Sequence, residues 1–298
     1  MVTSGKCSIF TCTRICLFAV LVFSMATKTA RAQYPPPIFN PPKSYYLALG
    51  DSLAYGFQSF KLLANLPPSA YNTGFVDVFG ARLRQIRPGI VTVNYGCPGE
   101  TTETFNAGGC IWTKTGHQLH DPFEGSQLQA AIKFLETHRG QVSPITLALW
   151  GNDLPLLLDA CTVNSQIDLA CVEANAPGFI AGLAGRIFTI LQKLRSAAPD
   201  AEIVVTGAVD ESLNFLPFAD PLFQAFNTSL REAAAANRAR FADPFPVFNP
   251  QGNTAAEIQA ICTLTLLCVQ NDIHPSDAGY QALANLVFDA SEYDRLKE

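Results

Sequence analysis

Ser52 and His274 are a serine and a histidine that could act together as a nucleophile and its base. Ser52 follows the apolar run 45–49 and Gly50, a pattern that predicts a buried strand turning sharply at its carboxyl end. In open α/β sheets, sites form at that end of the strands. A serine hydroxyl attacks an ester only when a neighbouring group accepts its proton, and the imidazole of His274 is the natural candidate. These residue types indicate acyl-transfer chemistry.

Gly99 and Asn152 are residue types that could donate hydrogen bonds in that chemistry. Each lies shortly after an apolar run, 90–94 and 145–150. A glycine lets the backbone approach a ligand closely, and an asparagine amide donates hydrogen bonds without adding a charge. Taken alone, the same residues are compatible with a chain turn at Gly99 and a helix cap at Asn152.

Four short blocks follow one another along the chain: Gly50-Asp51-Ser52-Leu53, residues 94–101, Gly151-Asn152-Asp153 and residues 272–275. In this order they resemble the GDSL or SGNH family of serine hydrolases. The resemblance implies an oxyanion hole formed by Gly99, Asn152 and the backbone N–H of Ser52. It implies neither a cofactor nor a metal. Members of the family cleave lipids, phospholipids, small esters and sugar acetates, so the substrate stays open.

The acid that would complete a triad departs from the family pattern. The family usually places it three residues before the histidine, which here is Asn271, whereas Asp272 stands only two before His274. In an extended segment residues i and i+2 project to the same face, so Asp272 could orient the imidazole. We expect Asp272 to be the acid. The alternative is a dyad in which a backbone carbonyl holds the ring.

The remaining histidines and the acids beside the blocks are expected to be structural. His117 and His120 have a metal-like spacing but lie in irregular sequence without an intervening acid, and His138 is typical of a helix terminus. Asp51 and Asp153 are expected to accept structural hydrogen bonds.

The elements that must position these residues alternate along the chain. Short β-rich runs are followed by amphipathic helical patterns, which predicts a parallel sheet covered on both faces. We expect an α/β fold, a three-layer α/β/α sandwich with a flavodoxin-like parallel sheet of about five strands. The predicted strands are 45–50, 90–94, 145–150, 202–206 and 240–248, and the predicted helices are 75–86, 126–137, 179–196, 221–237 and 276–288.

Two stretches, 106–124 and 155–177, fit no regular element in the sequence. Long irregular segments of a compact domain are usually functional, so we expect them to form walls of an active-site cleft, with plain surface loops as the alternative. A third stretch, 215–226, is rich in phenylalanine and leucine. It predicts either an apolar acyl pocket or ordinary core.

The first residues predict export. Lys6 and Arg14 precede a short apolar run, and Ala30-Arg31-Ala32 forms a cleavage site, so residues 1–32 are expected to be a secretory signal peptide. The run is too short for stable membrane insertion. Residues 33–43 form a Pro-rich lead-in, and 44–298 form the hydrolase domain. The mature protein is expected to be secreted, extracellular or periplasmic.

Three of the nine cysteines lie in the predicted signal peptide, and the other six form three local groups. An even number in a secreted protein indicates disulfide bonds. Among the possible connectivities we expect the local pairs Cys97–Cys110, Cys161–Cys171 and Cys262–Cys268.

The charge of the chain excludes some partners. The formal net charge is −5, and the predicted signal peptide contributes only basic side chains, so the mature chain is more acidic still. This argues against nucleic acid and anionic membrane surfaces. We expect a monomer acting on a small-molecule or lipid ester.

The sequence therefore predicts a secreted serine esterase or lipase with an acyl-enzyme at Ser52. The nearest alternative is a carbohydrate O-acetylesterase of the same family. A non-catalytic secreted binding protein is a further alternative, although it has no physical need for both Ser52 and His274.

Overall fold

A parallel sheet forms the centre of the molecule. The computed structural model describes residues 34–211, 219–251 and 254–297. Within them the strands are β1 (Tyr45–Gly50), β2 (Val91–Asn94), β3 (Val142–Ala148), β4 (Thr162–Val163), β5 (Gln166–Ile167), β6 (Ile203–Thr206), β7 (Arg240–Ala242), β8 (Thr265–Leu266) and β9 (Asp272–Pro275). The sheet has the order β2-β1-β3-β6-β7, with all neighbours parallel. This is the flavodoxin-like order that the sequence predicts.

Helices cover both faces of the sheet. They are α1 (Ser52–Tyr55), α2 (Ser59–Leu63), α3 (Phe75–Ile86), α4 (Thr102–Ala107), α5 (Ile111–Lys114), α6 (Gln127–Thr137), α7 (Leu154–Ala160), α8 (Leu169–Ala197), α9 (Ala219–Ala236), α10 (Phe245–Phe248), α11 (Thr254–Leu264), α12 (Leu267–Gln270) and α13 (Asp277–Ser291). Alternate residues of β1 face opposite layers, as the pleat requires. Leu47 and Leu49 pack with α6, α8 and α9, whereas Tyr46 and Ala48 pack with α3 and α13. The three-layer sandwich is thereby confirmed.

A serine side chain caps the amino end of two of the predicted helices. The hydroxyl of Ser126 accepts a hydrogen bond from Gln129 N at the start of α6, and Ser276 accepts one from Gly279 N at the start of α13. Such caps satisfy backbone donors that have no partner in the first turn. His138 ends α6 and contacts Phe134 O through Nδ1 at 3.0 Å, which confirms its predicted place at a helix terminus.

The stretch 155–177 is not irregular, and this prediction was wrong. It contains most of α7, a two-stranded antiparallel hairpin of β4 and β5, and the first turns of α8, with Pro177 inside the helix. Pro177 is exposed, so the helix accommodates its missing N–H and its ring on the solvent side.

The predicted last strand is also too long, because β7 ends at Ala242 and Phe245 and Phe248 belong to α10. Asp243 and Pro244 separate the two elements, and Asp243 Oδ1 accepts a hydrogen bond from Phe245 N at 3.1 Å. An aspartate that accepts a bond from the first turn, followed by proline, favours a helix start over an extended strand.

All three predicted disulfides are present. Cys97–Cys110, Cys161–Cys171 and Cys262–Cys268 have Cα–Cα distances of 6.5, 5.5 and 5.1 Å. Such bonds persist in oxidising environments. The segment 34–43 has no regular secondary structure, and Asn40 ties it to the domain through a bond from its backbone N to Glu202 Oε2 at 2.9 Å.

Helix α8 is long and apolar enough to cross a membrane by length and composition. Its buried side chains Leu183, Ile187, Ile190, Leu191 and Leu194 instead belong to the core layer shared with α6 and α9. We therefore interpret α8 as a core helix.

Candidate active site

Ser52 begins α1, directly after the carboxyl end of β1. Gly50 has φ +136°, and a Cβ there would collide with the backbone of Ala148 on β3, so only glycine fits this turn. Asp51 caps the helix by accepting a hydrogen bond from Leu53 N at 2.9 Å. Ser52 itself is 9% exposed. The site lies where the sheet order changes direction, between β1 and β3.

His274 is held by Asp272 and not by Asn271. The imidazole Nδ1 lies 2.6 Å from Asp272 Oδ1, which also accepts a bond from His274 N at 3.1 Å. Both residues belong to β9, so the two-residue spacing brings their side chains to one face. Asn271 is exposed and ends α12 with φ 52°. With Nδ1 bonded to the carboxylate, Nε2 remains to accept a proton.

Asp272 stays ionised in this environment. Burial by itself raises the pKa of the carboxyl group. The hydrogen bonds from His274 and from Ser59 N, together with the charge of His274, outweigh burial and lower the pKa to about 2. The bond from Ser59 N to Asp272 Oδ2 measures 2.7 Å.

The segment after α1 joins the serine to the histidine. Phe57 N donates to Ser52 O at 3.0 Å, and the ring of Phe57 contacts the imidazole of His274 edge-on at 4.6 Å between centroids. Gln58 Nε2 donates to Pro275 O at 3.0 Å, and Tyr280 OH donates to Phe57 O at 2.7 Å. The structure therefore brings the segments of Ser52 and His274 together, although they are distant in sequence.

Gly99 and Asn152 lie on adjoining turns that follow the carboxyl ends of β2 and β3. Gly99 has φ +81°, and Ile111 packs where a Cβ would stand. Asn152 lies in a 3₁₀ turn after β3 and donates from Nδ2 to Glu100 O at 3.1 Å. That bond uses one of the two N–H groups of the amide and fixes its orientation, leaving the second available to a ligand.

A buried network supports these turns. Asp153 Oδ2 accepts from Thr102 N at 2.9 Å, and Asp153 Oδ1 lies 2.6 Å from Thr102 Oγ1 and 3.2 Å from Arg186 Nη2. Asp153 is therefore a structural acceptor, as predicted. It joins the turn of Gly99 to the turn of Asn152.

Gln127 and Glu100 were not found by sequence analysis. The fully buried amide of Gln127 accepts from Gly50 N at 2.6 Å and donates to Gly50 O at 2.9 Å and to Glu100 Oε2 at 3.0 Å. Burial raises the pKa of Glu100 to about 7, while Thr104 and Gln127 oppose the shift and the charge of Asp51 adds to it. A glutamine on the buried face of an amphipathic helix was the available signal.

Asp51 is buried beneath the serine. Burial raises its pKa to about 6, although N–H donors from Leu53, Trp150 and Gly151 and the positive charge of a protonated His274 act in the opposite direction. The acid is a structural acceptor, as expected.

His117 and His120 pack on aromatic side chains. The ring of His117 stacks on Trp112 at 4.2 Å, and His120 lies against Tyr55, with Nε2 2.9 Å from Tyr55 O. In the described part of the chain, the one group of His, Cys, Asp and Glu donors close enough to hold a metal is Cys97, Glu100 and Cys110. The two sulfurs form a disulfide bond, so they offer no thiolate ligand.

An apolar pocket is lined by Trp150 and Leu154, which flank the 3₁₀ turn of Asn152 in sequence. Among the described residues, every side chain that lines it is apolar. From the stretch 215–226 it includes Leu222, Phe223 and Phe226 of α9, whereas Phe215, Leu216 and Phe218 lie outside the described residues. The opposite wall comes from α7 and α8: Leu154, Leu157, Leu158, Val172, Ala176, Phe179, Ile180 and Leu183. The stretch 155–177 therefore contributes Leu157, Leu158, Val172 and Ala176 to this pocket, whereas its expected place in the wall of an active-site cleft stays a prediction.

Comparison with known proteins identifies a family. The sequence model of the GDSL-like lipase/acylhydrolase family matches residues 48–282. No curated protein matches the chain closely enough to count as a relative.

Solved structures share the fold at low sequence identity. The lipase Lip_vut3 from a goat rumen metagenome is 19% identical with a TM-score of 0.55, covering 85% of this chain and 99% of that one. The extracellular lipase from Streptomyces rimosus is 16% identical with a TM-score of 0.55, covering 83% and 99%. A catalytic mutant of the acetylxylan esterase Axe2 from Geobacillus stearothermophilus is 16% identical with a TM-score of 0.51, covering 85% and 96%.

Proposed function

The chain belongs to the GDSL-like lipase/acylhydrolase family, and from this premise we propose that it is a serine esterase or lipase with Ser52 as nucleophile. The observation that carries the proposal is the 2.6 Å bond between His274 Nδ1 and Asp272 Oδ1. It fixes the imidazole on the segment that Phe57 joins to the serine. A hydroxyl nucleophile needs a base that is oriented in this way and can reach its proton.

The reaction proceeds in two transfers. Nε2 of His274 takes the proton of Ser52 as Oγ attacks the ester carbonyl carbon. The oxyanion then accepts bonds from the N–H of Ser52, from the backbone at Gly99 and from the amide of Asn152. His274 returns the proton to the leaving alkoxide and the acyl-enzyme forms. A water, deprotonated by His274, releases the acid and restores the serine.

Labelling with a fluorophosphonate probe tests the nucleophile without knowledge of the substrate. We expect one label per chain on Ser52 and complete loss of labelling and ester hydrolysis in Ser52→Ala, with the fold unchanged by circular dichroism. Labelling that persists in Ser52→Ala would overturn the proposal, as would an unlabelled, correctly folded wild-type protein.

The apolar pocket favours an alkyl acyl group over acetate. Its lining offers hydrophobic contact to a chain of several methylenes, each of which gains about 0.8 kcal/mol on burial. An acetyl group gains little there. This is why we propose lipase or esterase activity ahead of carbohydrate O-acetylesterase activity.

Acyl-length profiling separates the two substrates. Aryl esters from acetyl to decanoyl are expected to show rising kcat/KM, with weak release of acetate from acetylated xylan. Ala176→Phe narrows the pocket and should remove the preference for long chains, while Ala181→Phe, an exposed change on the same helix, should not. A maximum at acetyl in the wild type would favour the O-acetylesterase.

We also propose that the enzyme is exported. The three disulfides indicate an oxidising compartment. Residues 1–32, the predicted signal peptide, lie outside the described residues. Mass spectrometry of the exported protein should give an N-terminus at Gln33, and retention of residues 1–32 would contradict the proposal.

A further inference from the structure

Exposed apolar side chains concentrate around the candidate active site. Of the fifteen large hydrophobic side chains exposed in the described residues, ten lie on four segments next to the site: residues 59–66, 110–120, 154–171 and 262–273. We call the following six of them the apolar rim: Leu63 (86% exposed), Ile111 (55%), Val163 (61%), Ile167 (46%), Val269 (74%) and Ile273 (54%). Single exposed hydrophobic residues are ordinary, but a concentration around a site marks an interaction surface.

Contacts place three of the four segments at the active-site side of the sheet, and chain connectivity places the fourth there. Ser59 N bonds to Asp272, which ties the segment of Leu63 to that of Ile273. The rings of Trp112 and Phe57 are 5.6 Å apart between centroids. Ile111, which precedes Trp112, packs against Gly99. The segment that includes Val163 follows directly from the turn of Asn152.

The disulfides hold the rim in place. Ile111 directly follows Cys110, and Val269 directly follows Cys268. Val163 and Ile167 lie in the hairpin that Cys161 and Cys171 close. Each cross-link restricts the loop that presents an exposed aliphatic side chain. Four of the six rim residues thus lie in or directly beside a cross-linked loop, the exceptions being Leu63 and Ile273.

The charge of the rim segments defines the partner. In the three ranges 59–66, 110–120 and 262–273, and in the hairpin range 161–171, the only lysines and arginines are Lys61 and Lys114. Lys61 is buried and donates to Thr73 Oγ1 at 2.7 Å. A surface for anionic lipid or nucleic acid needs clustered basic side chains. The rim lacks them, so its partner carries no net negative charge.

The apolar pocket adds the second argument for the partner. Helices α7 and α8 line the pocket on one side and carry exposed Leu156 and Leu169 on the other, beside the hairpin of the rim. An acyl chain that binds in such a pocket is most concentrated in a lipid phase and not in water. If the rim contacts the lipid phase, the acyl chain of the substrate can enter the pocket with a shorter path through water.

We propose that the apolar rim docks the enzyme on an uncharged or zwitterionic lipid–water interface, so that its natural substrate is an ester within a lipid aggregate. The inference rests on the proposed function for the chemistry at Ser52, but the docking itself does not require turnover. Docking buries side chains that water surrounds in the free enzyme, and it follows the same energetics as other interfacial proteins.

Flotation with phosphatidylcholine vesicles tests the docking. The wild-type protein should float with the vesicles, with binding unchanged between low and high salt and not increased by phosphatidylserine. The double variant Val163→Asp/Val269→Asp should bind at least about tenfold more weakly. The matched control is Val91→Asp, a 51% exposed valine at the amino end of β2, on the opposite side of the sheet. It should bind as the wild type does.

Two further measurements separate the possible failures. Fluorophosphonate labelling of each variant, with a monomeric butyryl aryl ester as substrate, checks that the site is intact; its failure in the wild type would refute the proposed function and leave the vesicle result standing. Size-exclusion chromatography tests a second copy as the occupant. The docking proposal is overturned if the wild type does not float, if Val91→Asp loses as much binding as the rim variant, if binding needs anionic lipid, or if the rim variant converts a dimer to a monomer.

Discussion

The two halves of the candidate site are held in different ways. Gly99 and Asn152 follow strands β2 and β3 of the five-stranded sheet. Buried side chains cross-link their turns, since Asp153 bonds to Thr102 and Gln127 bonds to Gly50 and Glu100. His274 instead lies on β9, which in the described part of the chain pairs with the two-residue strand β8 and not with that sheet.

We call the turns of Gly99 and Asn152 the oxyanion half and the segment of His274 the base half. The difference between them indicates how much activity a single substitution in each half should cost. The oxyanion half has several buried bonds that fix backbone groups, so the loss of one side chain leaves the others in place. In the base half one carboxylate orients the imidazole, because Asp272 bonds to the ring, to His274 N and to Ser59 N. A single substitution should therefore cost more on the base half.

Asp272→Asn is the largest test of this asymmetry. Loss of the carboxylate leaves the imidazole without its partner, and kcat should fall at least about 10²-fold, within the roughly 10⁴-fold known for a lost triad acid. Asn271→Ala is the adjacent control and should retain activity, since Asn271 is exposed. Steady-state kinetics on one soluble ester measures both. A loss in Asp272→Asn below about tenfold would establish the dyad.

Asn152→Ala probes the oxyanion half. It removes one of three donors that act on the developing negative charge, so kcat should fall roughly 10²–10³-fold with KM little changed. A rise in KM with unchanged kcat would assign Asn152 to substrate binding instead. An effect larger than that of Asp272→Asn would reverse the asymmetry of the two halves.

Two cysteine double variants sharpen the comparison by substrate length. Cys262→Ser/Cys268→Ser loosens the loop before His274 and should lower activity on all esters. Cys161→Ser/Cys171→Ser loosens the hairpin beside the pocket wall and should lower activity on decanoyl esters more than on acetyl esters. Each costs up to roughly 2–4 kcal/mol of unfolding free energy, measured by urea denaturation. Identical substrate profiles in both variants would contradict the division of roles.

Glu100→Gln gives the smallest expected effect, on stability. The pKa of Glu100 is raised to about 7 in the folded protein, so the native state binds the extra proton between the ordinary glutamate pKa and that value. Wild-type stability therefore falls as pH rises through this window. The neutral amide has no proton to lose, so the variant should gain on the order of 2 kcal/mol over wild type between pH 5 and pH 8. Equal differences at both pH values would show that Glu100 does not titrate there.

Local patterns were sufficient for much of the fold and part of the site. Apolar runs ended by glycine or polar residues predicted four of the five sheet strands closely, because buried parallel strands are continuously hydrophobic. The i, i+2 relation of Asp272 and His274 in an extended segment predicted the bond that the structure contains. Neighbouring cysteines predicted the three disulfides, since closing a short loop costs little entropy.

Other features depend on contacts that no local pattern contains. Leu169 to Ala176 with Pro177 resembles a loop in sequence, and the packing of α8 against α7 and α9 makes it a helix that forms a pocket wall. Gln127 gains its significance only because α6 lies beside both Gly50 and Glu100. The sequence by itself determined the chemical groups, the strand order along the chain and the local cross-links. Tertiary structure decided which distant groups meet, because hydrophobic packing of the layers, and not local propensity, fixes those distances.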